Sequence, residues 1–166
     1  SLVYLQSREV LYKFFDDFKV RQHLFYEAWD ENTNSWTNLD DMTTRKWKAY
    51  ETYLRDHLKV RSDQQTKLIN VSITDRSPEK AVLFINGLIK TANLSAKNKF
   101  LTRIENKIEI LNQSHREYDD VHSKASLMSL IIKAKSRKVS AENNENFLFE
   151  FIDYPAIPEQ RSAPNR

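Results

Sequence analysis

The sequence predicts an α+β protein: a small mixed sheet with helices packed on it, and a long extended α-helical hairpin attached to that base. Three observations carry the prediction. Ile69, Val71 and Ile73 alternate with Asn70, Ser72 and Thr74, the two-residue period of a half-buried strand. Ser77, Pro78 and Glu79 follow at once. Ser77 is suited to accept from backbone amides as an N-cap, and the missing N–H of Pro78 would have had no partner in the first helical turn. From Pro78 onward, apolar positions recur at helical spacing over a stretch longer than a compact domain of this size is wide.

The first segment, residues 7 to 29, sets Val10, Leu11, Phe14, Phe15, Phe18, Leu24 and Phe25 at helical spacing. Ser7 is its expected N-cap and Val10-Leu11 its first buried pair. The stripe is open to a split into two short helices between Lys19 and Gln22. Residues 30 to 39 read as a polar loop interrupted by Trp36. A second helix is expected to start at Asp40 or Asp41, whose carboxylates suit the positive end of a helix dipole. It should run through Trp47, Tyr50 and Leu54 to about His57, with those three side chains in the core. Leu58 to Arg61 reads as a short strand, and Ser62 to Gln65 turns it into the Ile69–Ile73 strand as a hairpin.

After Pro78, the residues Ala81, Val82, Ile85, Leu88 and Ile89 are expected to bury one face. Asn93-Leu94-Ser95 is a weak spot, beyond which Phe100, Leu101, Ile104, Ile108 and Leu111 resume the pattern as the packing face of the hairpin. A continuous helix from Pro78 to Gln113 holds 36 residues, about 54 Å at about 1.5 Å per residue. Residues 114 to 124 are polar, and there the helix either turns back or continues. Leu127, Leu130, Ile131 and Ala134 supply the returning face, ending in the basic run of Lys133, Lys135, Arg137 and Lys138. Phe147, Phe149 and Phe151 on one side, with Leu148 and Ile152 on the other, predict a central strand, which Pro155 ends. Domain organisation follows: residues 1–92 and 141–154 as an α/β base, 93–140 as the helical extension, and 155–166 as a proline-containing tail with Pro155, Pro158 and Pro164.

Composition narrows function mainly by exclusion. Of 166 residues, 26 are Lys or Arg and 23 Asp or Glu, a formal charge of +3. Such a mixed surface is a poor electrostatic footprint for nucleic acid. The chain has no cysteine, so disulfides and thiolate metal sites are excluded. Gly87 is its one glycine. Phosphate-cradling P-loops, dinucleotide fingerprints and Gly-x-Ser-x-Gly nucleophile elbows each need at least two, so all three are excluded. No apolar run approaches the roughly 20 residues that a membrane-spanning helix needs.

Candidate chemistry is sparse. His115, Asp119 and His122 would share a face on one continuous helix and have metal-ligand character, but they occupy the most polar part of the chain, where a solvated face is the ordinary outcome. Asp16-Asp17 and Asp119-Asp120 are adjacent carboxylates whose side chains diverge, which suits capping better than acid–base work. Trp29, Trp36, Trp47, Tyr50 and Tyr53 could build a stacking platform, and Trp36 in its polar loop is the one to test for a contact role. Lys97, Lys99, Arg103 and Lys107 form a basic stripe, read as a solvated face or as a groove for acidic glycan or a subunit contact. Asn70, Asn93 and Asn112 head glycosylation-type triplets, a common chance match. No motif reaches catalysis, and no cofactor is implied.

With this layout in view, the chain resembles the periplasmic domain of Wzz-type polysaccharide co-polymerases, the bacterial chain-length determinants. The resemblance lies in Glu9 to Phe18 continuing to Phe25-Tyr26, in Leu68 to Ala81 with its strand and Ser77-Pro78-Glu79 helix start, and in Phe151-Ile152-Asp153-Tyr154-Pro155-Ala156-Ile157-Pro158 with Pro164 beyond. It implies an inner-membrane protein whose two spans lie outside this sequence, with a membrane-proximal base and helical extensions in the periplasm. It implies a homo-oligomeric ring that sets the modal length of O-antigen or a related glycan made by a separate polymerase, with that polymerase and the nascent glycan as partners. The family has no catalytic residues to carry over. On this resemblance Lys97, Lys99, Arg103 and Lys107 would face neighbouring subunits or glycan. The alternative is a cytosolic helical adaptor whose hairpin is a coiled-coil docking arm.

Overall fold

The computed structural model describes residues 2–37 and 44–157. The chain is α+β and divides into two compact units, Ser1–Ala92 with Phe151–Arg166, and Asn93–Glu150.

In the first unit, α1 (Leu2–Leu5) leads to α2 (Arg8–Asp17), which starts where expected: Ser7 Oγ accepts from the Val10 N–H at 3.3 Å. Val10, Leu11, Phe14 and Phe15 from α2 are buried. Lys19 adopts the left-handed region at φ 51°, which breaks the apolar stripe and starts α3 (Val20–Leu24). Phe14 is the hub of the core. Its ring centroid lies 5.6–5.9 Å from those of Phe15, Phe18, Tyr53 and Phe84, within the range of favourable aromatic packing.

The polar loop expected at residues 30 to 39 is instead closed by a two-residue ladder. β1 (Trp29–Asp30) pairs antiparallel with β2 (Ser35–Trp36), Trp29 opposite Trp36. Asp30 Oδ1 accepts from the Asn32 and Thr33 N–H groups, Asn34 takes φ 49°, and the two indoles meet edge to face at 4.9 Å. A cross-strand aromatic pair thus closes a turn whose polar composition hid it. The helix start placed at Asp40 or Asp41 lies outside the described residues.

α4 (Lys46–Thr52) passes into a π-helical turn, Tyr53–His57. The expected core row of Trp47, Tyr50 and Leu54 is corrected here: Trp47 is 43% exposed, Tyr50 and Leu54 are half-buried, and Ala49 and Tyr53 fill the interior. Ala49 is small enough to let α2 approach, and the wider π turn changes the angular phase beyond Thr52. β3 (Leu58–Ser62) and β4 (Ile69–Ile73) form the expected antiparallel hairpin, with Leu58 opposite Ile73 and Ser62 opposite Ile69. The mixed sheet is not found among the described residues, which form two separate two-stranded antiparallel sheets.

α5 (Pro78–Glu117) is one continuous helix of 40 residues, about 60 Å long at about 1.5 Å per residue. Its cap is the predicted one. Ser77 Oγ accepts from the Lys80 N–H at 3.3 Å and donates to Glu79 Oε2 at 3.1 Å, while Asp75 Oδ1 accepts from the Ser77 N–H at 2.8 Å. Along its first turns Phe84, Leu88 and Ile89 are buried, whereas Ala81, Val82 and Ile85 are half-buried. Gly87 seats the Phe18 ring. A Cβ built there would lie 2.7–2.8 Å from three atoms of that ring.

The second unit contains the rest of α5 and α6 (Val121–Glu142). Asn93-Leu94-Ser95 does not weaken the helix: Asn93 is buried and bonded through its side chain. Ile104 of α5 and Ile131, Ala134 and Ala141 of α6 are buried, Phe100, Leu101, Ile108, Leu111 and Leu127 half-buried, and Leu130 exposed. Leu130 lies about 100° around the helix from Ile131, outside the less exposed row of 127, 131, 134, 138 and 141.

The strand expected from Phe147 to Ile152 does not form. Asn93 Oδ1 accepts from the Leu148 and Phe149 N–H groups at 2.9 and 2.7 Å, and Asn93 Nδ2 donates to the Phe149 carbonyl at 2.8 Å. One side-chain amide therefore satisfies the backbone groups that a neighbouring strand would have taken. Phe147 packs on Phe100 at 5.4 Å.

Candidate functional site

The predicted contact residues lie in the second unit. Lys97 Nζ donates to the Glu142 carbonyl at 2.6 Å and to the Asn144 carbonyl at 3.4 Å. An ammonium at the carbonyl end of α6 offsets that end's partial negative charge, so Lys97 acts as a cap and holds the return of the chain. Lys99, Arg103 and Lys107 are exposed on α5, and Ile110, on the same face, is 63% exposed.

The opposite flank of α5 and the adjoining flank of α6 bound an open groove of about 550 Å³. Glu105, Glu109, Asn112 and Arg116 line it from α5, and Lys135, Val139 and Glu142 from α6. Lys138 at its floor bonds Glu105 Oε1 at 2.8 Å and approaches Glu142 Oε1 at 3.7 Å. The hydrogen bond to Glu105, reinforced by both carboxylate charges, holds the Lys138 ammonium above its ordinary range. This bridge is exposed, so it sets the register of the helices more than their stability.

His115, Asp119 and His122 do not share a face, because residues 118–120 interrupt the helix. Asp120 is the N-cap of α6, its Oδ2 accepting from the Ser123 N–H at 2.7 Å, and bonds from the Ser123 hydroxyl and backbone hold its carboxyl below the usual range. Asp16 and Asp17 are likewise separate, pairing with Lys46 and Lys13. Among the described residues no cluster of three or more His, Asp or Glu side chains is placed to hold a metal ion. Trp36 is half-buried against Trp29, with the Arg21 guanidinium 5.2 Å from its ring. Pro155 is half-buried; Pro158 and Pro164 lie outside the described residues.

Sequence reasoning missed one polar cluster, in the first unit. His23 Nε2 meets both Asp75 carboxylate oxygens at 2.8 and 3.0 Å, its ring lies edge-on to Phe84 at 5.3 Å, and Arg76 Nη2 donates to the His23 carbonyl at 3.0 Å. Nearby, Tyr53 is buried with its hydroxyl unpartnered. Burial, and then the Asp75 charge, push its ionisation well above the ordinary phenol range. His23 and Asp75 are 52 residues apart, and neither carries a local signal for the other. The arrangement ties α3 to the turn that starts α5, and its groups are engaged with one another rather than aimed at a shared open position.

No protein-family model matches the chain, and no curated protein matches it. Among the described residues no helix is long and apolar enough to cross a membrane.

Proposed function

We propose that this chain is the periplasmic part of a Wzz-type polysaccharide co-polymerase, a non-enzymatic protein that oligomerises and sets the modal length of O-antigen or a related surface glycan made by a separate polymerase. In this reading the first unit is the membrane-proximal base, α5 and α6 form an extended helical hairpin, and the membrane spans flank the sequence given. The observation that carries the reading is α5 itself. A hairpin of β3 and β4 leads through the Ser77-Pro78 cap into 40 unbroken helical residues, and α6 brings the chain back after three. A helix of that length, polar on most of its surface, is expected to work by presenting faces to partners.

The test is genetic. The full-length gene is introduced into a glycan-producing strain that lacks its own chain-length determinant, and the surface polysaccharide is resolved on a gel. A ladder that changes from a featureless decay to a peak of preferred lengths supports the reading; an unchanged ladder with the protein expressed in the inner membrane overturns it.

A further inference from the structure

The fold divides the charges of the second unit between two flanks. The Lys138–Glu105 bond puts both side chains on one flank, beside the groove. The Arg137 guanidinium, from the neighbouring position, lies 5.7 Å from the centre of the Phe100 ring, which puts it on the other. At about 100° per residue, Arg103 and Lys107 fall within about 60° of Phe100 on α5, and Lys133 about 40° from Arg137 on α6. Glu105 and Glu109 lie about 120–180° around α5 from its cationic column, and Glu142 about 140–180° around α6 from its own. α6 has no carboxylate before Glu142. Beyond Lys107 this face of α5 has none until Glu117, about 15 Å further along the helix, and Glu117 is engaged by Gln113 Nε2 at 3.0 Å.

The two columns are distant in sequence, and the return of α6 sets them side by side. With Lys138 level with Glu105, the four cations fall between the levels of Arg103 and Ile110, about 10 Å along the helices. All four are exposed, and among the described residues none of them forms an ion pair. Like charges this close repel, so the patch favours a ligand that brings several negative charges along its length. Phe100, the ring within the patch, is already packed by Arg137 and Phe147. The patch therefore offers no open ring for the base stacking that single-stranded nucleic acid uses. It does offer the guanidinium forks of Arg103 and Arg137, which match carboxylates. At its edge the aliphatic side chains of Ile110, 63% exposed, and Leu130, 49% exposed, can cover the C–H face of a sugar ring.

We propose that Arg103, Lys107, Lys133 and Arg137 form a binding site for an acidic glycan, a polysaccharide segment bearing carboxylates along its chain, laid across this flank of α5 and α6. The inference rests on the chain-length reading above and narrows its glycan to an anionic one.

The full-length protein, purified in detergent, is titrated with a fluorescently labelled oligogalacturonate, and with a dextran oligosaccharide of equal length as the uncharged control. Saturable binding of the oligogalacturonate alone, weakening as salt rises, is the expected result. Arg103→Gln combined with Lys133→Gln removes one cation from each helix and should raise Kd about tenfold. Lys135→Gln, exposed on the groove flank, should leave Kd unchanged. Circular dichroism checks that each variant keeps its helices, and Lys107→Gln replaces any that does not. Equal weakening by Lys135→Gln, unchanged binding in the double variant, or tighter binding of a length-matched single-stranded oligonucleotide or of inorganic pyrophosphate overturns the site. No oligogalacturonate binding by a protein that still shapes the surface-glycan ladder also overturns it, and leaves the chain-length reading standing. Binding as described with an unchanged ladder supports the site and overturns that reading.

Discussion

The two units of this chain are built on different physics. The first is held by a three-dimensional aromatic cluster, in which Phe14 touches rings contributed by α2, the π turn and α5. The second is a pair of helices with few buried apolar side chains, Ile104 on α5 and Ile131, Ala134 and Ala141 on α6, reinforced by polar bonds from Asn93 and Lys97. Burial dominates in the first, because large side chains have partners in every direction. A two-helix seam leaves most of each helix in solvent, so its stability leans on specific polar anchors and on whatever covers the outer faces.

The sharpest way to break the comparison is to remove the hub of the first unit. Phe14→Ala leaves a cavity ringed by four aromatic side chains and should cost about 3–5 kcal/mol in denaturant unfolding; a loss under about 1 kcal/mol would show the cluster is not the main source of stability. Next comes the polar anchor of the second unit. Asn93→Ala strands the Leu148 and Phe149 backbone groups, and should cost about 2–3 kcal/mol. Hydrogen exchange at those two amides should rise while the first unit's protected amides hold steady.

Gly87→Ala tests close packing. Alanine favours the helix by about 1 kcal/mol, yet its Cβ would meet the Phe18 ring at 2.7–2.8 Å. Displacing that ring should win and leave the variant about 1 kcal/mol less stable; a stabilised variant would mean the ring moves freely. Tyr53→Phe has the opposite sign. Its hydroxyl is buried without a partner, so deleting it should stabilise by about 1 kcal/mol, read as a rise in the unfolding midpoint. A drop instead would reveal a bound water or another partner at the hydroxyl.

The smallest effect is at the α5–α6 junction. Asp120 is depressed in the folded chain, so its capping contribution is complete above the ordinary carboxylate range and fades as pH falls through its folded value. Exchange protection of the Ser123 amide should therefore weaken below about pH 4. Asp120→Asn, which caps without a charge, should remove that pH dependence; identical profiles in both proteins would assign it to other carboxylates.

Much of the local structure was legible because its causes are local. Ser7 three residues before Val10, Ser77-Pro78 before the long helix, and the alternation through Ile69–Ile73 each place donor, acceptor or apolar face within a few residues of one another. The candidate contact row on α5 was legible as a charge stripe for the same reason, although Lys97 proved to be the α6 cap. The strand expected at Phe147 to Ile152 misled because alternating apolar residues specify an extended backbone without naming its partner. The His23–Asp75 contact and the Trp29–Trp36 ladder left no local trace that hydrophobic periodicity could detect.

By itself, the sequence determined where α2 and α5 begin and which strand pair turns back on itself, since caps and periodicity act over a handful of positions. Only the tertiary structure decided which Asn93 atoms stand in for a strand and that Phe18 rests on the lone glycine. Those outcomes depend on groups as many as 69 positions apart, Phe18 on Gly87 being the longest of them, meeting at bonding or van der Waals distance, and no short-range pattern records such a meeting.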